Sequence, residues 1–168
     1  MHSSEIGNRK AVRYSGAVAA VSSIDGARVL RLPNVAMPNG FMLELLRTDW
    51  PAIGPVRQIN WFQLDAEAVT GWHCHTGHTD YLIGVAGKIK LALFDGRDRS
   101  RTSGATEVVR LDPSRPTMVI VPPGVWHGLR NEGQGPAGYV QVLDSLYNHK
   151  DPDSRKLPLG TPEIPDML

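Results

Sequence analysis

Two short stretches of this chain concentrate side chains that bind metals or move protons. The first, Gly71-Trp72-His73-Cys74-His75-Thr76-Gly77-His78-Thr79-Asp80, is followed by Gly87. The second, Pro122-Pro123-Gly124-Val125-Trp126-His127, is followed by Asn131. Alternate side chains of a β-strand share a face, so His73 and His75 point together and Cys74 points away. Strand pairing can then bring His127 beside them inside a barrel. Neutral imidazoles with one carboxylate suit a divalent transition metal and leave positions open for water or substrate. The expected ligands are His73, His75, Asp80 and His127, with Fe, Mn, Ni or Zn as the metal. His78 lies in the intervening loop and reads as a pocket or surface histidine; His2 and His149 read as solvent-exposed. The alternative for the same residues is a metal-free polar pocket, its imidazoles bonded to each other or to a ligand.

The elements that must position these residues are short. The 17 glycines and 13 prolines break the chain at intervals of about ten residues, the rhythm of strands and turns. Candidate strands are 27–32, 40–47, 58–64, 71–75, 81–86, 88–94, 106–111, 117–121 and 139–143. In Lys88-Ile89-Lys90-Leu91-Ala92-Leu93 large apolar residues alternate with polar or small ones, the pattern of a half-buried strand, and Asp95-Gly96 then signals a turn. No stretch keeps a capped helical period. The expectation is all-β, a sandwich or barrel of the jelly-roll kind. Residues 1–25 read as an N-terminal arm and 26–147 as the barrel. Residues 148–168, with Pro152, Pro158, Pro162 and Pro165, read as an extended strap rather than a strand or helix.

At 168 residues the chain suffices for one domain with a proper core, and its net charge of +1 argues against nucleic acid or an anionic membrane as partner. No apolar run is long enough to span a bilayer, and residues 1–5 lack the features of a secretory signal. A single cysteine, Cys74, forms no internal disulfide, which fits a cytoplasmic protein, and it reads as a small buried residue.

The two stretches resemble the two signatures of the cupin barrels. His-x-His, an acid and then Gly is matched by His73, His75, Asp80 and Gly87. Pro-x-Gly-x-x-His-x-x-x-Asn is matched by Pro122, Gly124, His127 and Asn131. The resemblance implies a cupin (double-stranded β-helix) jelly roll. Two positions depart: the acid is usually Glu but is Asp80 here, and Pro116 stands where the second signature usually begins with Gly.

A longer stretch, about 32–147, resembles the dTDP-4-dehydrorhamnose 3,5-epimerase family, itself cupin-like. The matching pieces are Gln58 and Asn60, Gly71-Trp72-His73, Asp95-Gly96-Arg97 through Thr102 and Gly104, Pro122-Pro123-Gly124, His127-Gly128 and Tyr147. In that family the histidine matching His73 removes a proton beside the C4 ketone of a nucleotide-linked sugar, which requires a base in reach and something to stabilise the enolate. The departures fall on catalytic positions. Thr70 replaces an arginine, Asp80 a lysine, Gln141 a tyrosine acid, and His75 a residue that is often Gln.

These observations leave three functions open. The first is a metal-binding, epimerase-like cupin enzyme acting on a small carbonyl-bearing substrate by isomerase, lyase or dioxygenase chemistry, with Tyr139, Tyr147 or His78 moving protons. The second is the metal-free epimerase of a nucleotide-linked 4-keto-6-deoxyhexose, with His73 as base. The third is a non-catalytic cupin that binds a sugar or small effector. The expected partners are a small-molecule substrate and a second copy of the chain in a homodimer, with residues 29–32 either adding to the partner's sheet or forming an ordinary internal strand.

Overall fold

The computed structural model describes residues 17–20 and 22–168, which form thirteen strands and no helix. One antiparallel sheet has the order β1 (Val18–Ala20), β2 (Arg28–Arg31), β10 (Thr117–Val121), β7 (Asp80–Ala86), β12 (Ala137–Leu143), β5 (Gln58–Leu64). A second has the order β13 (Ser154–Leu157), β6 (Trp72–His75), β11 (Val125–Asn131), β8 (Ile89–Asp95), β9 (Thr106–Leu111). A hairpin of β3 (Asn34–Met37) and β4 (Gly40–Leu43) completes the set. The two large sheets enclose a jelly-roll barrel, in agreement with the sequence reading.

Strand β10 shows why the sheets stack. Its five residues are all buried, because both of its faces are covered. Val119 and Val121 join Leu82, Leu91, Leu93, Val125 and Leu129 between the sheets. Met118 and Ile120 join Leu30, Tyr81, Ile83 and Trp50 on the outer side. Each such side chain contributes about 1.5–3 kcal/mol of burial. A third cluster lies outside the second sheet, where Ile164, Met167 and Leu168 cover Trp72, Cys74, Ala92 and Trp126. Two glycines make this packing possible. Gly87 turns β7 into β8 at φ +69°, and a Cβ there would meet Ala137 Cβ at 2.6 Å. At Gly128 a Cβ would meet Leu168 Cδ1 at 2.3 Å, so the tail seats where a side chain is missing.

The structure departs from the sequence reading in four places. The strap expected over 148–168 carries a strand, since β13 pairs with β6 from Ser154↔His75 to Leu157↔Trp72. The four residues between Asp153 and Pro158 keep their N–H groups, which is enough for a short edge strand. Strand β11 was not among the candidates, because Gly128 and the polar His127, Arg130 and Asn131 hide its pattern. Residues 29–32 offer no free edge for a partner, since β2 lies between β1 and β10. Finally, the arm expected over 1–25 falls mostly outside the described residues. Its described part includes β1 and the buried Ile24, which joins the core.

Candidate active site

Strand β6 sorts its side chains as period two demands. Trp72 and Cys74 enter the outer cluster, while His73 and His75 line a cavity of about 790 Å³ inside the barrel. Burial holds the Cys74 thiol above its ordinary pKa, so it is an inert packing residue. Across the ladder His127 on β11 stands opposite His73, as strand pairing was expected to place it. Asp80 comes from the other sheet, at the first residue of β7. The turn between β6 and β7 is tied down from the tail, where the Gly77 amide donates to Asp153 Oδ2 at 2.9 Å. The Thr79 amide donates to Asp144 Oδ1 at 2.9 Å. So fixed, the turn delivers His78 inward, only 4% exposed.

Three imidazoles converge on Asp80. Nε2 of His75 and of His127 each lie 3.4 Å from Oδ2, and Nε2 of His78 lies 3.4 Å from Oδ1. The far side of each ring is held. His78 Nδ1 donates to Asp153 Oδ2 at 2.9 Å, and His75 Nδ1 bonds Ser154 Oγ at 3.0 Å. His127 Nδ1 donates to the Val125 carbonyl at 3.4 Å. Asp80 Oδ2 and His78 Nε2 are nonetheless buried without a hydrogen-bond partner. A buried carboxylate oxygen facing imidazole lone pairs is costly unless a cation, a proton or a metal ion, stands between them.

The charges follow from this geometry. Burial would raise the Asp80 carboxyl pKa, but His78, His127 and His75 outweigh it and hold the group below its ordinary range. Burial pulls His75 down, against the pull of Asp80. His127 is pushed down to about 4 by burial, which Asp80 only partly offsets. His78 is raised, because Asp80 and Asp153 on its two sides outweigh its burial.

Gln141, at the position of the absent tyrosine, is coupled to Asp80, at the position of the absent lysine. Gln141 Nε2 donates to Asp80 Oδ1 at 2.9 Å, and Asn60 Nδ2 donates to Gln141 Oε1 at 3.1 Å. Gln58 Nε2 donates to Asn60 Oδ1 at 3.0 Å, and the Tyr147 amide donates to Gln58 Oε1 at 2.9 Å. These amides form one directional chain from Tyr147 to Asp80, so the two departures act as a pair.

His73 stands apart from the Asp80 cluster. Its ring lies 6.3 Å from that of His127, and its Nε2 lies 3.2 Å from the Thr70 carbonyl. A carbonyl only accepts, so Nε2 carries the proton and Nδ1 keeps a free lone pair. Burial lowers the His73 pKa against the effect of the Thr70 carbonyl, so the ring is neutral at neutral pH. Tyr139, stacked on Phe62 at 5.0 Å, lines the same cavity, and burial pushes its hydroxyl up to about 12. Tyr147 also lines the cavity and contacts the exposed His149 ring edge-on at 4.9 Å.

His73, His75, His78, His127, Tyr139 and Tyr147 therefore line one cavity, with Asp80 against its histidines, but their grouping differs from the expected one. One donor atom from each of His75, His78 and Asp80 lies within 4.8 Å of the other two, and His73 is not in this set. The spacing suits a metal: tetrahedral ligands at about 2.0–2.1 Å stand roughly 3.4 Å from one another. Asp153 and Ser154, which orient His78 and His75, were missed because they lie in a stretch read as a strap. Asn131 is structural. Its Nδ2 donates to the Asp65 carbonyl at 2.8 Å and the Gly135 carbonyl at 2.7 Å.

Known proteins share this architecture. No protein-family model matches the chain. The Bacillus subtilis (strain 168) spore coat polysaccharide biosynthesis protein SpsL is 29% identical over 135 residues, spanning 80% of this chain and 89% of that protein. A dTDP sugar isomerase from Desulfovibrio desulfuricans G20 superposes with a TM-score of 0.82 at 28% identity, over 88% of this chain and 94% of the other. The chain has a cupin-like jelly-roll fold and resembles the dTDP-4-dehydrorhamnose 3,5-epimerases. The Haloferax volcanii probable low-salt glycan biosynthesis epimerase Agl13 is 25% identical over 121 residues, 71% of this chain and 78% of that protein. The Elizabethkingia anophelis dTDP-4-dehydrorhamnose 3,5-epimerase shares the fold, with a TM-score of 0.76 at 14% identity over 89% and 85% of the two chains. The expectation of an isomerase-type enzyme agrees with these relatives.

Proposed function

We propose that the chain epimerises a nucleotide-linked 4-keto-6-deoxyhexose, with His73 as base. The observation that carries this reading is the His73 ring, neutral, with Nδ1 free, in a cavity of about 790 Å³. A C–H beside the ketone gives its proton to Nδ1, and the electron pair moves onto the ketone oxygen as an enolate. A proton returned to the opposite face inverts the centre. Tyr139 keeps its hydroxyl proton at neutral pH and is the first candidate to return it; Tyr147 is the second. Trp61 and Phe62 line the cavity and offer flat apolar surface to a sugar or a base. The relatives named for sugar isomerisation and glycan-sugar epimerisation support the substrate class.

A second reading keeps the metal. Buried, unpartnered Asp80 Oδ2 and His78 Nε2 favour a divalent ion (Fe, Mn, Ni or Zn) held by His75, His78 and Asp80, with His127 beside them. A bound ion would polarise a substrate carbonyl as a Lewis acid. In this reading His73 is base rather than ligand, and the substrate is a small carbonyl compound. The homodimer remains part of both readings. The exposed Phe41, Ile59 and Trp61, with β5 at the open edge of its sheet, support it instead of residues 29–32.

Incubating the protein in D2O with a dTDP-linked 4-keto-6-deoxyhexose tests both readings. Deuterium entering beside the ketone at equal rates with and without chelator is the expected result. Exchange abolished by chelator and restored by one metal would select the second reading. A substrate that binds with no exchange under any condition would leave a binding cupin.

A further inference from the structure

Deprotonation beside a ketone leaves a negative oxygen, and a buried enolate needs a cation or strong donor within reach. The cavity wall holds one lysine or arginine among the described residues, Lys156. It lies on β13, and the β13–β6 register sets it directly opposite His73. Directly opposed residues of an antiparallel pair project from the same face with their Cβ atoms about 4.5–5.5 Å apart. The neighbouring pair, Ser154↔His75, bonds side chain to side chain on that face, which fixes the register independently. Among the described residues the Lys156 ammonium has no ion pair or hydrogen bond, so its donors are available to a ligand. Its charge also reaches His73, where it favours the neutral, proton-accepting ring.

We propose that Lys156 is a catalytic residue that donates to the ketone oxygen of the substrate and stabilises the enolate formed when His73 takes the neighbouring proton. This rests on the epimerase reading. In the step, the C–H bond breaks and its proton moves to His73 Nδ1. The C–H electron pair forms the C=C bond, and the carbonyl π pair settles on oxygen, where a Lys156 N–H donates to it. Reprotonation on the other face reverses the electron movement and leaves Lys156 unchanged. The competing role for a lone pocket cation is to bind the diphosphate of the sugar nucleotide, which would act on affinity instead of on the chemical step. The strand pairing favours the enolate role, because it places Lys156 beside the base.

The test is solvent-deuterium exchange into a dTDP-linked 4-keto-6-deoxyhexose, with wild type, Lys156→Met and Lys156→Arg. Lys156 is exposed, so Met leaves the β13–β6 ladder in place, and dTDP binding by calorimetry checks that the pocket is intact. Lys156→Met is expected to lower kcat for exchange about 100-fold with KM within about threefold, and Lys156→Arg to recover part of the loss. Unchanged kcat with a raised KM and weaker dTDP binding overturns the proposal in favour of diphosphate binding. Unchanged kcat and KM overturn it outright. Absence of exchange in the wild type overturns the epimerase reading itself, a result distinct from either.

Discussion

Two aspartates, Asp80 and Asp95, are equally shielded from solvent, at 1% and 0% exposure, and are treated in opposite ways. Asp95, at the end of β8, is fully satisfied. Arg97 donates to it through Nε at 2.7 Å and Nη2 at 2.9 Å, and Ser100 and Thr102 donate their hydroxyls at 2.5 and 2.6 Å. Arg97 Nη2 also donates to the Asp25 carbonyl, tying the N-terminal side to the loop. Asp80 has one proper donor, Gln141, and one oxygen that faces imidazole nitrogens without a bond. A satisfied buried carboxylate holds a loop together, whereas the unsatisfied one is the feature on which the metal reading rests.

The largest expected effect is on the satisfied side. Asp95→Asn should lower the urea-derived unfolding free energy by about 3 kcal/mol, because Arg97 loses its charge partner and an amide cannot accept all these bonds. A loss below about 1 kcal/mol would break the contrast. The two aspartates also predict different acid behaviour. Burial opposes ionisation of Asp95, but Arg97, Ser100 and Thr102 hold its carboxyl far below the ordinary 3.8. Its contribution is therefore complete above about pH 4 and lost as pH falls towards the folded value. At the imidazole cluster His127 is lowered from 6.5 to about 4, so the unfolded chain binds the extra proton and stability falls as pH drops from 6.5 towards 4. His78, raised above 6.5, has the opposite sign in a different window: its contribution is complete below pH 6.5 and is lost as pH rises through its folded value. Unfolding followed against pH should show the upper acid window reduced in His127→Gln, with His73 and His75 keeping the remainder, and the lower one reduced in Asp95→Asn, with Asp80 keeping part of it.

Smaller effects sharpen the Asp80 side. Asp153→Asn takes the charge from the group that fixes His78 Nδ1 and should weaken Zn²⁺ binding, measured by calorimetry, about 10-fold. No measurable Zn²⁺ binding by the wild type would remove the metal reading. The smallest effect is on stability at Asp80 itself. Asp80→Asn keeps an acceptor for Gln141 and gains a donor for the imidazoles, so the metal-free protein should change by less than about 1 kcal/mol, towards greater stability. A loss comparable to that of Asp95→Asn would make the cluster structural.

The strands that alternate or run continuously apolar were legible: β5, β8, β9 and β10 appear in the sequence within a residue of where they form. Strand β11 was not, although it carries His127, because its glycine and polar residues are justified by the pocket on one side and by Leu168 on the other. The inward turn of His73 and His75 was legible from period two alone. The partnership of His78 was not, because loop residues have no period. Its direction comes from Asp153 and Asp144, more than sixty positions along the chain.

By itself the sequence determined the all-β class, the two signature stretches and the departures at Thr70, Asp80 and Gln141, since local alternation and residue type are written in one dimension. Tertiary structure alone decided that Asp80 and Gln141 are partners, that His78 rather than His73 joins Asp80, and that the proline-rich tail sends Ser154 and Lys156 to the cavity and Asp153 to His78. These are contacts between distant segments, and they exist only once antiparallel pairing has set the register of β13 against β6.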